Sequence, residues 1–192
     1  MNEESPISLN FLKHPMVWVV TIARLLIALY IFINPFWGVL WSMVADWVDS
    51  QVLLHGVGIT RPQYQLWDKN VDWFAYVVEL SVASSFGLYL PFFLLLFWRF
   101  LGQFMFVRTH KRWMFVFFPN FFEMIFLWLV IFYPHGGLVS WPTGHTLTWL
   151  IVFIVGKQIH ELLLHFIAPK YHFTDVTFQA HINRFFQLIF KR

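Results

Sequence analysis

The chain has 192 residues, 59% of them hydrophobic and 12% charged, a balance that excludes an ordinary soluble domain and points to an integral membrane protein. It has no cysteine, so disulfide and thiolate chemistry are excluded, and a formal net charge of +3 is too small to argue for nucleic acid. Glu3 and Glu4 precede any basic residue, unlike the start of a secretory signal.

A helix needs roughly 20 mostly apolar residues to cross hydrocarbon. Six such stretches are expected, over 16–33, 35–52, 67–87, 89–107, 113–133 and 146–167. The segment 1–15 before them, whose residues 6–15 mix apolar and basic side chains at roughly helical spacing, is expected to lie in the headgroup layer. Asn34–Pro35 supplies the first turn, and the segment 51–66, with Gly56, Gly58 and Pro62, joins the second span to the third. Gly87 marks the turn into the fourth. Pro119 predicts a kink in the fifth that frees a backbone carbonyl near Asn120. Residues 134–144 form the longest outer loop. Within 169–192, Phe173, Val176, Phe178, Ile182, Phe185, Phe186 and Ile189 share one broad face, so a second interfacial helix is expected there. The expected fold is an all-α membrane protein. One domain covers 1–192, with six transmembrane helices in 16–168 and amphipathic interfacial helices at the N- and C-termini.

Lysine and arginine orient this layout. Lys13, Arg61, Arg108, Lys111, Arg112, Lys170, Arg184, Lys191 and Arg192 fall on one side, and the three opposite loops hold neither residue. The positive-inside rule then makes both termini and the 51–66 segment cytoplasmic.

Four aspartates stand out against this background. Asp46 and Asp49 (i, i+3) end the second span, and Asp68 and Asp72 (i, i+4) begin the third, so each pair shares one helix face near the cytoplasmic surface. A charge at a helix centre in a bilayer costs at least about 2.5 kcal/mol, so four carboxylates together call for compensating positive charge. Carboxylate oxygens suit hard divalent cations, and two facing pairs suit a two-metal clamp of the kind used for displacement at phosphorus. The alternative is that the aspartates cap helices or pair with Lys69, Arg61 and water.

Asp46-Trp-Val-Asp49 and Asp68-Lys-Asn-Val-Asp72, with Thr21-Ile-Ala-Arg24 in the first span, resemble the CDP-alcohol phosphotransferases. Their signature, on the second and third of six membrane helices, reads D-x-x-D-G-x-x-A-R, then G, then D-x-x-x-D. The motif likeness covers roughly 17–90, and size and span count are similar over the whole chain. Ser50 stands where that family has its first glycine and Leu53 and Leu54 where it has Ala-Arg. The later glycine is missing, and the interval from Asp49 to Asp68 is one residue longer. The resemblance implies metal ligation by Asp46, Asp49, Asp68 and Asp72, two Mg²⁺ or Mn²⁺ ions, and Asp72 as general base. It also implies a CDP-linked lipid or alcohol donor, an alcohol acceptor, membrane lipids as surroundings, release of CMP and a homodimer. The altered nucleotide positions leave a second expectation open, a retired catalyst acting as a metal-binding membrane scaffold. A small cation transporter is a third; the aspartates gather at one face rather than at midplane, which argues against it.

Arg24, Arg61, Lys69 and Lys157 are the candidate substrate-binding cations. Arg24, Glu79, Arg99, Glu123, Lys157 and Glu161 lie within the expected spans and face the bundle interior, either as functional groups or as pairs that set helix register. Lys157, Glu161 and His165 form one polar stripe, suited to a diphosphate or a headgroup. Pro142-Thr-Gly-His145 matches a fragment of a lipid-phosphatase signature but lacks its companion motifs, and His160-Glu161 with His165 has the wrong spacing for a zinc helix.

Overall fold

The computed structural model describes residues 9–109, 113–139 and 142–163; the side chains of Arg61, Pro62 and Gln65 lie outside that description. All regular structure among the described residues is helical. The α-helices are α1 (Pro15–Tyr30), α2 (Pro35–Gln51), α3 (Arg61–Ser85), α4 (Tyr89–Thr109), α5 (Met114–Phe117), α6 (Phe121–Phe132) and α7 (Gly144–Leu162).

Proline and a capping side chain start the first two. His14 Nδ1 accepts from Met16 N at 3.3 Å ahead of Pro15, and Asn34 Oδ1 accepts from Trp37 N at 3.1 Å ahead of Pro35. Gly38 lets the two helices meet closely, since a Cβ there would sit 2.6 Å from Ile31 Cα. α3 opens on a capping box in which the Gln63 side chain accepts from Thr60 N at 2.9 Å. Gly58 (φ 77°) and Gly87 (φ 76°) end the preceding and following turns in the left-handed region.

The structure departs from the expected spans in three places. The segment 51–66 is largely helical: α2 runs on into a π-helical stretch, Val52–Val57, and α3 begins at Arg61. The fifth span is broken outright into α5 and α6 around Pro119, which has no N–H to donate. The freed carbonyls are taken by other helices: Arg99 Nη1 donates to Phe118 O at 3.3 Å and Gln158 Nε2 to Val116 O at 3.0 Å. Third, the described part of the expected N-terminal interfacial helix is a 3₁₀ turn, Leu9–Lys13, whose Phe11 is buried beside Val17, Leu53, Ile59 and Trp67. The expected C-terminal helix, 169–192, lies outside the described residues, as do Lys111, Arg112 and His165.

The main core lies between α3, α4 and α6, around Tyr76, Phe92, Phe122, Phe126 and Leu129. Only α4 among the described helices is both long and apolar enough to cross a membrane by itself, with a mean hydropathy of 1.7. α1 and α6 are apolar but shorter.

Candidate functional site

All four aspartates converge on one guanidinium. Arg24, from the middle of α1, donates through Nη1 to Asp49 Oδ2 at 2.6 Å and Asp68 Oδ1 at 2.8 Å, and through Nη2 to Asp72 Oδ1 at 2.6 Å. Its Nη1 also lies 3.3 Å from Asp46 Oδ1. Lys69 Nζ adds contacts to Asp68 Oδ2 at 2.6 Å and Asp72 Oδ2 at 3.1 Å. Asp49, Asp68 and Asp72 are buried, whereas the Asp46 side chain is 54% exposed and forms the open edge of the cluster.

The spacing of the aspartates produces this meeting. Asp46 and Asp49 lie one turn apart on α2, Asp68 and Asp72 one turn apart on α3, and α1 packs against both helices. The Thr21-x-x-Arg24 turn locks α1 in place: Thr21 Oγ1 accepts from Trp67 Nε1 at 3.0 Å, and the Trp67 ring lies 5.7 Å from the Arg24 guanidinium carbon.

Tyr64 belongs to the site and sequence reasoning missed it. Its hydroxyl donates to Asp49 Oδ1 at 2.6 Å. Burial, with Asp68, Asp49 and Asp46 nearby, pushes the phenol far above its ordinary range, so it remains a donor. The available signal was position, because Tyr64 precedes Asp68 by one turn on the same face of α3.

The remaining candidate cations divide. Lys157 pairs with Glu161 along α7 at 3.0 Å, and no ion pair joins it to the aspartates among the described residues. Arg61 opens α3, but its side chain lies outside the described part. Of the other interior charges, Glu123 Oε2 accepts from Asn120 Nδ2 at 2.7 Å, which also donates to Tyr76 Oη at 2.9 Å. The Arg99 guanidinium lies over Phe115 at 4.8 Å, while Glu79 Oε2 is buried with no hydrogen-bond partner. His145 accepts from Trp149 Nε1 at 2.9 Å at the start of α7, a local packing role.

Asp46, Asp68 and Asp72 each offer an oxygen within 4.8 Å of the others. That is close to the roughly 4.2 Å between opposite ligands of Mg²⁺, given metal–oxygen distances near 2.1 Å, and an all-carboxylate donor set suits a hard cation. Beside the guanidinium, a small space between α1, α2 and α3, with room for about one water molecule, is lined by Arg24, Ala28, Ser42, Ala45, Val71, Phe74 and Ala75. Comparison of the chain with family models, with curated proteins and with solved structures returns no match.

Proposed function

We propose that this is a six-span membrane protein whose aspartate cluster is the centre of a divalent-cation-dependent phosphotransferase acting on a CDP-linked donor. The membrane reading is supported by an inverted distribution of residues. Leu26, Trp41, Val77, Leu94 and Ile151, from five different helices, are each more than half exposed, while Asp49, Asp68, Asp72, Glu79, Arg99 and Glu161 are buried. α4 shows both sides at once, with Arg99 inward and Phe97 outward. In this reading the cluster and both termini face the cytoplasm, following the basic residues.

The observation that carries the enzymatic reading is the convergence of four carboxylates from two helices at an edge that Asp46 leaves open. Among the described residues, four carboxylates meet two cations, Arg24 and Lys69, a formal charge of −2 that one divalent ion balances. The two ions implied by the family resemblance therefore reduce to one while Arg24 occupies the cluster. Asp46, Asp68 and Asp72 would hold the ion. Such an ion neutralises phosphate oxygens and steadies the leaving group. Asp72 takes the proton of the acceptor hydroxyl as its oxygen bonds to phosphorus and the bond to CMP breaks. The π-helical stretch Val52–Val57 supports the resemblance at a point where the sequence departs from it. A π turn accommodates one extra residue, and the Asp49–Asp68 interval is one residue longer than the family pattern.

A second reading has its own observation. Arg24 and Lys69 already answer the aspartates, so the cluster would also serve as a structural ion-pair knot in a retired catalyst. CMP release from CDP-diacylglycerol separates the two, measured on purified protein in detergent with Mn²⁺ and mixed small alcohols. Metal-dependent release that vanishes in Asp72→Asn supports the transferase. No release from wild type supports the knot.

A further inference from the structure

We infer that Glu79 and Glu123 form a proton-binding site inside the bundle, holding one proton between them. The site is separate from the aspartate cluster and does not depend on a metal ion there.

The register of α3 against α6 brings the two carboxyls together. Tyr76 Oη accepts from Asn120 Nδ2 at 2.9 Å at the start of α6, and past the far ends of both helices Phe86 O accepts from Val139 N at 3.1 Å. The Tyr76 and Phe122 rings also meet edge to face, with centroids 5.4 Å apart. The two helices therefore run in the same direction. Glu79 and Glu123, each one turn past the Tyr76–Asn120 link, stand at the same height. Asp72, Tyr76 and Glu79 share one face of α3, so the pair lies about 10 Å further along that helix than Asp72.

The oxygens gathered there lack a donor. Asn120 Nδ2 is engaged by Tyr76 and by Glu123 Oε2 at 2.7 Å, while Asn120 Oδ1 and Glu79 Oε2 are buried without a hydrogen-bond partner. Glu79 is 1% exposed and Asn120 4%. A proton supplies the missing donor as a carboxylic O–H, and it needs no cavity. Neither carboxyl has an ion pair among the described residues. Lys157 is held by Glu161 at 3.0 Å, and Arg99 lies over Phe115 and donates to Phe118 O. The charged groups acting on the pair are Asp72 and Lys69 from α3, Arg99 from α4 and Lys157 from α7, with Glu161 beside it. α1 and α2 present theirs, Arg24, Asp46 and Asp49, to the aspartate cluster. Two facing carboxyls in such a setting do not both ionise, and one shared proton removes their repulsion.

Infrared difference spectroscopy of the full-length protein in detergent, titrated with alkali, tests this through the carbonyl stretch of a protonated carboxyl. Wild type is expected to show that band at neutral pH. Glu79→Gln is expected to lose it, since the amide N–H takes the place of the proton. In Glu123→Gln the band should disappear at lower pH than in wild type, with proton binding at least about ten-fold weaker, because the facing negative charge is gone. Glu123→Asp, drawn back by one methylene, provides the reading if Glu123→Gln cannot be purified; a smaller move in the same direction is then expected. No protonated-carboxyl band in wild type, a band unchanged by Glu79→Gln, or Glu123 variants that titrate as wild type would each overturn the inference. Stabilisation by Na⁺ in place of the band, lost in Glu79→Gln, would assign these oxygens to a metal ion and overturn it as well.

Discussion

Tyr64 and Asp49 tie the first turn of α3 to the last turn of α2, with Oη 2.6 Å from Oδ1. Asp49 thereby has each carboxylate oxygen engaged, one by Tyr64 and one by Arg24. Tyr64→Phe removes only the hydroxyl and leaves a buried acceptor short of its donor, at a cost of about 1–3 kcal/mol. A lowered thermal midpoint in detergent is expected, and the loss should shrink when Asp49→Asn is already present. Additive losses would show that the bond does not couple the helices.

The α1–α2 hairpin depends on a missing side chain. At Gly38 a Cβ would meet backbone atoms of Ile31 at 2.6–2.7 Å, and backbone cannot step aside as a side-chain tip can. Gly38→Ala is expected to destabilise by roughly 1–3 kcal/mol. Gly156→Ala, where nothing lies within 4 Å, is expected to be neutral or stabilising by up to about 1 kcal/mol. Equal effects at the two positions would contradict the close packing.

Glu79 is 1% exposed, and its Oε2 lacks a partner. A carboxyl in that position gains nothing from carrying a charge. Glu79→Gln, alike in shape, is therefore expected to leave the midpoint unchanged or to raise it. A fall of several degrees would reveal a counter-charge for Glu79.

The outward face of α4 tests the membrane reading. Phe97 is 51% exposed near the middle of that helix. Phe97→Arg there should cost about 2.5–3.5 kcal/mol of insertion and deplete the protein from the membrane fraction. Phe97→Ala should not. If the arginine variant raises the yield of protein soluble without detergent, α4 faces water.

Much of the site was legible in the sequence because helical spacing is local. Asp46 with Asp49 and Asp68 with Asp72 had to share faces once α2 and α3 were helices. What spacing does not carry is which distant residue enters between the faces. Arg24 is 22 residues from Asp46 in sequence, and its place depends on the α1–α2 hairpin closing at Gly38. Lys157 illustrates the converse: a cation on the right stripe of α7 found Glu161 one turn away before any aspartate. The kink at Pro119 was foreseeable from the missing N–H, but the full break into α5 and α6 depended on Arg99 and Gln158 reaching the freed carbonyls from α4 and α7.

The most direct test of the central claim, that the aspartate cluster is a divalent-cation site, is thermal unfolding of wild type and Asp68→Asn in Mg²⁺ and in chelator. Saturating a site at about 100 times its dissociation constant adds about 2.7 kcal/mol of stability. Mg²⁺ should therefore raise the wild-type midpoint by several degrees and leave Asp68→Asn unmoved. Equal shifts in the two proteins, or no shift in wild type, would contradict the claim and leave the aspartates paired, among the described residues, with Arg24 and Lys69.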